Sequence, residues 1–595
     1  MTCYLGINVS HNASAALMID GEIVAAIQEE RITKIKNFTG YPKKSIQFCI
    51  DEAKKKGIKI DKAAFSTIKY PVFSYRVPLN HFFSIKDYDE FYGEKYYGKK
   101  IKGLSTKKYI TELLRNNKNN QDLYLDYKKI KNNDLFHNYK KFRNLLKETL
   151  RKQLKSNQEI IFLDHHTCHA YYAYYAAIKK NENCATVTLD SMGDDLNQTV
   201  WINSKKSFTL KKIASSSECE LARIYKFVTL ILSMKPDEHE YKVMGLAPYA
   251  KESYSLEIYN KIFKNILKVK NCRVVHDKRP KDLYAYLKDN LKQYRFDNIA
   301  GAVQMLIEKT SSKLLKQIYS KYKICNFAIS GGVSMNIKMN KILSELKFVK
   351  QIYVPPSGSD ESLSMGACYF LSKNKSKSLK NIYLGNDISG VKYYDLRKIF
   401  NKNKYKIKNN FSHYQISELL KKGEIIAVAR GKEEFGARAL GNRSIIANPS
   451  IDNIVQKINE TIKNRDFWMP FALTILSEKH HNYLKNPKKI RSDFMTIGFN
   501  TIEKNFIKIK SATHPYDRTV RPQILEKDFN EKYYSIIKKF YKISGIPGVL
   551  NTSLNLHGYP ICSNISDIKN TFIKSDLKFL YINDKFLIQK RNDKN

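Results

Sequence analysis

Apolar and polar positions divide this chain into strand-like and helix-like stretches from its first residues. Tyr4–Val9, Ala13–Ile19 and Glu22–Gln28 alternate as strands, the last two joined by a turn at Asp20 and Gly21. Residues 42–56 predict a helix with basic residues on its outer face. An apolar run at 159–163 predicts a buried strand, and Ala170, Tyr171, Ala173 and Ala176 then follow at helical spacing. Ala185–Asp190 and Thr199–Ile202 read as strands around a turn at 191–195. Helical patterns return at 220–233 and 296–322, with a turn-rich segment, Glu240–Pro248, between them. Asn326–Ser330 reads as a buried strand entering a glycine turn at Gly331 and Gly332, and a helix after Gly366 and Ala367 closes the first domain. A Lys-, Ser-, Asn- and Gly-rich stretch at 372–392 reads as a linker, and Glu424–Ala429 as a core strand beyond it. The pattern predicts an α/β protein of two domains, 1–380 and 381–595, without an internal repeat. At about 70–155 the first domain carries an insertion in which Tyr, Phe and Lys interleave (Tyr88–Lys102, Tyr124–Lys131, Phe136–Arg151). Its aromatics suit either a small helical core of their own or a polyanion whose bases stack on them.

Composition narrows the class. Nine cysteines are scattered without a Cys-x-x-Cys pair, which argues against a zinc ribbon or a disulfide frame and for a reducing compartment. The first residues run straight into a strand, so no signal peptide is expected. The longest apolar run, near Phe227–Met234, is too short to span a bilayer. A cytoplasmic location follows as the expectation, or the host cytoplasm if the gene is viral. The charge is the unusual quantity: 104 Lys plus Arg against 57 Asp plus Glu, a net +47. A field of that sign concentrates polyanions. AT-rich coding also raises Lys, Ile, Asn and Tyr together, so nucleic acid and composition bias both stand, with anionic membrane or polysaccharide behind them.

The candidate chemistry sits at three places. His165 and His169, four apart at a helix start, share one face, the spacing by which two imidazoles hold a metal. Asp190 and Asp360 are candidates for the missing ligands; two helix-start histidines satisfied locally are the alternative. Ser10, His11 and Asn12 stand at the bend after the first strand. In the second domain Arg438, Arg443, Lys463, Arg465 and Arg521 fall in glycine-spaced or turn-rich segments, with Asn551, Ser553 and Asn555 as neutral partners. Cations that fold compactly point to an anionic ligand such as a phosphate or nucleotide. A salt-bridge network with Glu434 and Asp466 is the competing account.

Taken together these segments resemble the O-carbamoyltransferases that include the nodulation, cephamycin, novobiocin and tobramycin enzymes. The resemblance spans nearly the whole chain. It is carried by Ser10–Ala15 with Asp20–Glu22, His165 with His169, Tyr241–Pro248, Ser330–Val333, Asp360 with Gly366 and Ala367, Glu434–Ser444, Lys463–Ala472 and Asn551–Gly558. It implies an actin-like (ASKHA) N-terminal domain, of the kind shared with tRNA threonylcarbamoyl-transfer proteins, and a YrdC-like α/β C-terminal domain. It also implies that carbamoyl phosphate and ATP form carbamoyl-adenylate in the C-terminal domain, with transfer to an acceptor hydroxyl at an N-terminal divalent metal. That metal would be Fe2+, with Mg2+ allowed alongside ATP. Residue by residue, His165, His169, Asp190 and Asp360 would be metal ligands, and His11 the acceptor-side base with Lys242 as a second catalytic group. Gly331, Gly332 and Asn336 would line the adenosine side. Arg438, Arg443, Lys463, Arg465, Arg521, Asn551, Ser553 and Asn555 would hold phosphates and carbamoyl.

The chain departs from these relatives at Asn12 (usually Asp), Ala437 (Pro), Met469 (Arg), Leu473 (Pro) and Tyr559 (Glu). Most departures leave the metal and adenylate motifs standing and bear on the acceptor. The basic charge favours a polyanion, specifically a hydroxymethylated base in DNA such as 5-hydroxymethylcytosine. A sugar hydroxyl of a polysaccharide or small metabolite is the alternative, and a catalytically inactive nucleotide- or nucleic-acid-binding protein is the alternative of another class. A homodimer is left open.

Overall fold

The computed structural model describes residues 1–69, 77, 83–116, 125, 139–177, 183–203 and 209–591. The insertion stretch Tyr124–Lys131, apart from Leu125, lies outside them. The chain forms two compact units: residues 1–29 with 37–378, and residues 30–36 with 379–595.

The first unit holds two five-stranded sheets. The first is built from β1 (Cys3–Asn8), β2 (Ser14–Ile19), β3 (Glu22–Gln28), β4 (Lys62–Phe65) and β5 (Glu159–Phe162), in the order β3-β2-β1-β4-β5. β1, β2 and β3 form an antiparallel meander, and β4 and β5 extend it in parallel. The second is built from β6 (Ala185–Gly193), β7 (Leu196–Asn203), β8 (Leu210–Ser216), β11 (Asn326–Ser330) and β12 (Gln351–Tyr353), with a separate hairpin of β9 (Leu267–Lys270) and β10 (Arg273–His276). Its order, β12-β11-β6-β7-β8, again joins an antiparallel meander to two parallel strands. The sequence shows no repeat, yet the topology repeats, and this doubled meander-plus-parallel plan is the actin-like arrangement. Strand order depends on which face each strand buries, so it survives when residue identities do not.

Helices His165–Ala177 and Leu363–Ser372 pack against each other beside the first sheet. They come close because Gly366 has no Cβ; one placed there would stand 2.0 Å from the Cys168 carbonyl oxygen. The segment Glu240–Pro248, expected as turns, is a helix over Glu240–Leu246 followed by a single 3₁₀ turn, Ala247–Tyr249. Pro248 fits there because a first-turn proline needs no N–H partner. In the insertion Phe83, Tyr88, Phe91, Tyr92, Tyr96 and Tyr97 stack on one another and on Phe227 and Tyr284. Tyr88 is 0% exposed. Of the two accounts of these aromatics, the structure favours the core for residues 83–97: Phe83, Tyr88 and Phe91 are buried, and Tyr92, Tyr96 and Tyr97 are half-buried against them.

The second unit is organised by an eight-stranded mixed sheet. Its strands are β14 (Tyr405–Lys408), β15 (Ile426–Ala429), β17 (Arg443–Ala447), β18 (Ala472–Leu476), β19 (Pro522–Leu525), β20 (Gly548–Ser553), β21 (Phe579–Ile582) and β22 (Phe586–Lys590). They run in the order β14-β22-β21-β15-β17-β20-β18-β19, while β13 (Tyr383–Asp387) pairs with β16 (Lys432–Glu434) apart. β13 falls inside the stretch expected as linker. Helices His413–Lys421 and Glu531–Ser544 cover the sheet with Ile416, Leu420, Ile536, Ile537 and Phe540. Each such side chain contributes about 1.5–3 kcal/mol by burial. Residues 30–36, expected in the first domain, belong here: buried Arg31 donates to the Gly436 carbonyl and Lys34 pairs with Asp567.

Candidate functional site

The helix that begins at His165 is capped by Asp164, whose carboxylate accepts from the Thr167 amide and hydroxyl, both at 2.8 Å. Helical spacing then sorts three histidines. His166 turns into the core, bonded to Thr188 Oγ1 at 2.7 Å and the Leu196 carbonyl at 3.0 Å. Burial and the neighbouring His165 push its pKa down to about 4, so it is a satisfied neutral core residue. His165 and His169 instead face Asp190, near the end of β6, and Asp360, at the turn leading into the helix Leu363–Ser372. His165 Nε2 lies 2.8 Å from Asp190 Oδ2 and 3.7 Å from Asp360 Oδ1. His169 Nε2 lies 3.4 Å and 3.5 Å from the same two oxygens. One ligand atom from each of the four lies within 4.8 Å of the others.

The electrostatics suit a cation. Burial alone would lower the His165 pKa, but Asp360 and then Asp190 overcome it and push it up to about 9. Buried His169 Nε2 finds no hydrogen bond of good geometry. Its Nδ1 is 3.2 Å from Ser330 Oγ, which also lies 3.2 Å from the Gly358 carbonyl. If Ser330 donates to that carbonyl, it accepts Nδ1–H and leaves the Nε2 lone pair directed at the carboxylates, the tautomer that ligates metal. Two imidazoles and two carboxylates, one nitrogen orphaned, fit a divalent transition metal. Asp360 is further fixed by Ser10 Oγ at 2.9 Å, and its carbonyl by Asn8 Nδ2 at 2.9 Å.

His11 is half-buried in the turn that follows, where Asn12 adopts φ +55° and donates to buried Glu361 at 3.3 Å. An Asp at 12 would set two carboxylates against each other there. Asp237 is held by Lys226 at 2.6 Å and by the Tyr88 hydroxyl at 3.4 Å. Burial would raise its pKa, yet the charges of Lys226 and then His11 keep it below the usual carboxylate range. Beside it Glu240 accepts the Asp237 amide at 2.7 Å. Burial, and then the Asp237 charge, push Glu240 up to about 7. Lys242 is half-buried on the same short helix. A carboxyl raised in the folded state favours folding fully below its ordinary value near 4.5 and loses that contribution as pH rises through about 7. Glu240→Gln is therefore expected to melt near wild type at about pH 5 and above it at about pH 8; a constant offset between the two pH values would refute this.

Gly331 (φ +93°) and Gly332 form the turn after β11, and the Gly332 amide donates to Asp190 Oδ1 at 3.2 Å. Asn336 caps the helix Ile337–Glu345 and exchanges hydrogen bonds with Gln304 at 3.0 and 2.9 Å. These three residues hold local structure around the candidate ligand Asp190 and the Gln304 side chain.

In the second unit Lys463, 2% exposed, donates to Ser553 Oγ at 3.2 Å and to Asn555 Oδ1 at 2.8 Å. Burial, and then Arg465, hold its pKa well below the usual lysine value. Arg521 is likewise driven down by burial and then by Arg438 and Arg465. Arg438, Lys463, Arg465 and Arg521 thus crowd one basin, and no carboxylate is among the groups acting on Lys463 or Arg521. Asn551 anchors the rim through the Ala439 carbonyl and Thr474, both at 3.1 Å, while its Oδ1 and Arg521 Nε are buried without a partner among the described residues. The salt-bridge account does not hold for Glu434, which accepts the amides of Leu440, Asn442 and Arg443 at 2.8–3.1 Å. Arg443 differs from the other cations. Fully buried, it donates to the carbonyls of Asn386, Arg430, Gly431, Asn442 and Ser563, so its guanidinium supports the scaffold.

Sequence reasoning missed Asp194, Asp237, Glu240 and Ser330 as parts of these sites. Asp237 and Glu240 precede the Tyr241–Pro248 motif, but only the fold brings Asp237 within reach of the His11 charge.

The profile described as Carbamoyltransferase N-terminus matches residues 3–369, and that described as Carbamoyltransferase C-terminus matches residues 417–590. An uncharacterized protein of Methanocaldococcus jannaschii is 31% identical over 98% of this chain and 99% of its own length. Nodulation protein NolNO of Sinorhizobium fredii is 25% identical over 98% of this chain and 79% of its own. Among solved structures, full-length HypF in a phosphate- and nucleotide-bound form aligns with 63% of this chain and 56% of its own, at 11% identity and TM-score 0.34. With its N-terminal profile covering more than half the residues, the chain belongs to the carbamoyltransferase family.

Proposed function

We propose that the chain is an O-carbamoyltransferase that uses ATP and carbamoyl phosphate. The observation that carries this reading is the pair of complementary sites: a basin of four crowded cations in the second unit, and a histidine–carboxylate cluster in the first. In the second unit, read as YrdC-like, Lys463, Arg465, Arg438 and Arg521 would neutralise the phosphates of ATP and carbamoyl phosphate. Water cleaves carbamoyl phosphate to carbamate and inorganic phosphate; a carbamate oxygen then bonds to the α-phosphorus of ATP as the bond to the β-phosphate oxygen breaks, and pyrophosphate leaves. Ser553 and Asn555, already bonded to Lys463, would orient the carbamoyl group. In the first unit a divalent ion, Fe2+ in this reading, would be held by His165, His169, Asp190 and Asp360 and would supply Lewis-acid polarisation of the carbonyl. His11 would take the acceptor hydroxyl's proton while the hydroxyl oxygen bonds to the carbamoyl carbon and AMP departs.

For the acceptor, the net charge of +47 supports a polyanion, in the first instance a hydroxymethylated base in DNA. It would be gripped by surface lysines rather than by the rings of residues 83–97, which pack on one another, and the base would have to flip out, at a cost of about a few kcal/mol. A neutral sugar hydroxyl is the second reading, favoured by Asp237, which senses the His11 charge, and by its neighbour Glu240, two carboxyls that disfavour phosphates and accept hydroxyl donors. With carbamoyl phosphate and ATP supplied, hydroxymethylated duplex DNA is expected to gain carbamoyl mass on its digested nucleosides, with binding that weakens steeply as salt rises. Turnover on a sugar substrate without that gain would remove the DNA acceptor and keep the enzyme class. No carbamoyl-phosphate-dependent pyrophosphate release at all would leave only the inactive-binder alternative.

A further inference from the structure

The tip of the β6–β7 hairpin does more than carry Asp190. Gly193 pairs with Leu196 across the turn, and the two turn residues, Asp194 (φ +49°) and Asp195 (φ +70°), are both left-handed. Tight hairpins of this kind place Asn, Asp or Gly at the first position and Gly at the second. A non-glycine residue at the second costs of order 1–3 kcal/mol and persists only when the surroundings fix it. The Asp194 carboxylate shows what fixes it. Oδ2 accepts the backbone N–H of His165 at 2.7 Å, at the first residue of the helix bearing both histidines. Oδ1 accepts the Thr67 hydroxyl at 3.0 Å and the amides of Ile68 at 3.0 Å and Lys69 at 2.6 Å, in the loop after β4. The Ile68 carbonyl in turn accepts from Arg143 of the insertion helix Tyr139–Leu154 at 2.7 Å. One side chain therefore joins the hairpin, the helix start and the loop from which the chain departs into the insertion.

Gly193 completes the arrangement. A Cβ there would stand 2.2 Å from both Cγ and Cδ2 of His165, so the imidazole lies directly on the hairpin backbone. Within five residues, one turn supplies a carboxylate facing His165 Nε2 (Asp190), the surface beneath its ring (Gly193) and the acceptor for its amide (Asp194).

We infer that Asp194 and Gly193 are positioning residues that set the orientation of His165, and with it the metal affinity of the His165, His169, Asp190 and Asp360 cluster. The inference rests on the reading of that cluster as a metal centre. Neither residue touches the ligand space; each acts through His165.

The test uses the full-length chain, stripped of metal and titrated with Co2+ alone, followed by its visible absorption and by competition with a chromophoric chelator. Wild type is expected to take up one equivalent. Asp194→Asn keeps the side-chain size but replaces one accepting oxygen by a donor, and is expected to bind 10- to 100-fold more weakly, with an altered absorption envelope. Gly193→Ala needs no unusual φ and is expected to show a loss at least as large; it carries the test if Asp194→Asn does not fold. Asp195→Asn, at an exposed carboxylate paired only with Lys69 among the described contacts, is expected to bind as wild type. Unchanged affinity and spectrum in both Asp194→Asn and Gly193→Ala, even with a lower melting temperature of the metal-free chain, would make the hairpin merely structural and overturn the inference. Absence of Co2+ uptake by wild type would overturn the metal reading and this inference together, and shows before any variant is compared.

Discussion

Arg521→Met is expected to abolish carbamoyl-phosphate-dependent pyrophosphate release from ATP while leaving the chain as stable as wild type or more so. The two effects have one cause. Arg438 and Arg465 act on Arg521 as like charges, and burial adds to the cost of holding it ionised. Bound phosphates reverse the sign of that interaction. Charge-assisted bonds aimed at a reacting phosphate are worth about 10²–10³ in rate each, and a buried cation shared among several substrate groups should lie at the upper end. Replacing a half-buried charge crowded by like charges, its Nε buried without a partner, by an apolar side chain of similar volume contributes at the lower end of about 1–4 kcal/mol to stability. For a unit of this size that raises the melting temperature by roughly 2–4 °C per kcal/mol. Activity by coupled pyrophosphate assay and stability by calorimetry read the two arms. A variant that turns over normally, or one that melts well below wild type, would mean that the basin is already neutralised and is no anion site. Arg443→Met offers the contrast: it strands five carbonyls, so it should cost stability first.

Asp360→Asn and His169→Ala are expected to separate the two half-reactions. Either change removes a ligand from the cluster, so metal retained after dialysis should fall by at least about 100-fold and carbamoyl transfer with it. In the proposed division of labour pyrophosphate release draws only on residues of the second unit, so it should persist within about twofold. Metal content by mass spectrometry and the two product assays provide the measurement. Equal loss of pyrophosphate release and transfer would contradict a division of labour between the units. For Asp360 the change also loosens Ser10, whose hydroxyl bonds the same carboxylate, so His169→Ala is the cleaner arm.

Much of this was legible in the sequence because periodicity and turn chemistry are local. Four of the five strands of the first sheet, the helix at 43–55 and the histidine pair follow from alternation and helical spacing, with Asp190 and Asp360 as candidates at polar junctions; the short strand Lys62–Phe65 gave no such signal. The helix Glu240–Leu246 was not legible, since a glycine and a following proline dominate a short segment whose stability comes from tertiary packing. Arg443 and Arg521 look alike in sequence; only the fold gives one of them carbonyls and the other more cations. The aromatic insertion was ambiguous for the same reason, because rings that stack on bases and rings that stack on each other have one composition. Asp194 left the faintest signal. An Asp-Asp pair where a tight hairpin favours Asn-Gly or Asp-Gly is a misfit at its second residue, and what fixes the turn lies far off in sequence, at His165 and Thr67.

The seven residues 30–36 bear on how this protein could be taken apart or assembled. Because they sit with the second unit while the chain on either side belongs to the first, the backbone crosses between the two bodies three times. A gene cut once near residue 378 would yield a tail fragment lacking the guanidinium that meets Gly436 and the ammonium that meets Asp567. Its partner fragment would carry a stray basic loop. Shuffling the halves among relatives as independent cassettes would leave the same gap, so they should be inherited together, and a split version should recover function only when its second piece is supplied with that short strip.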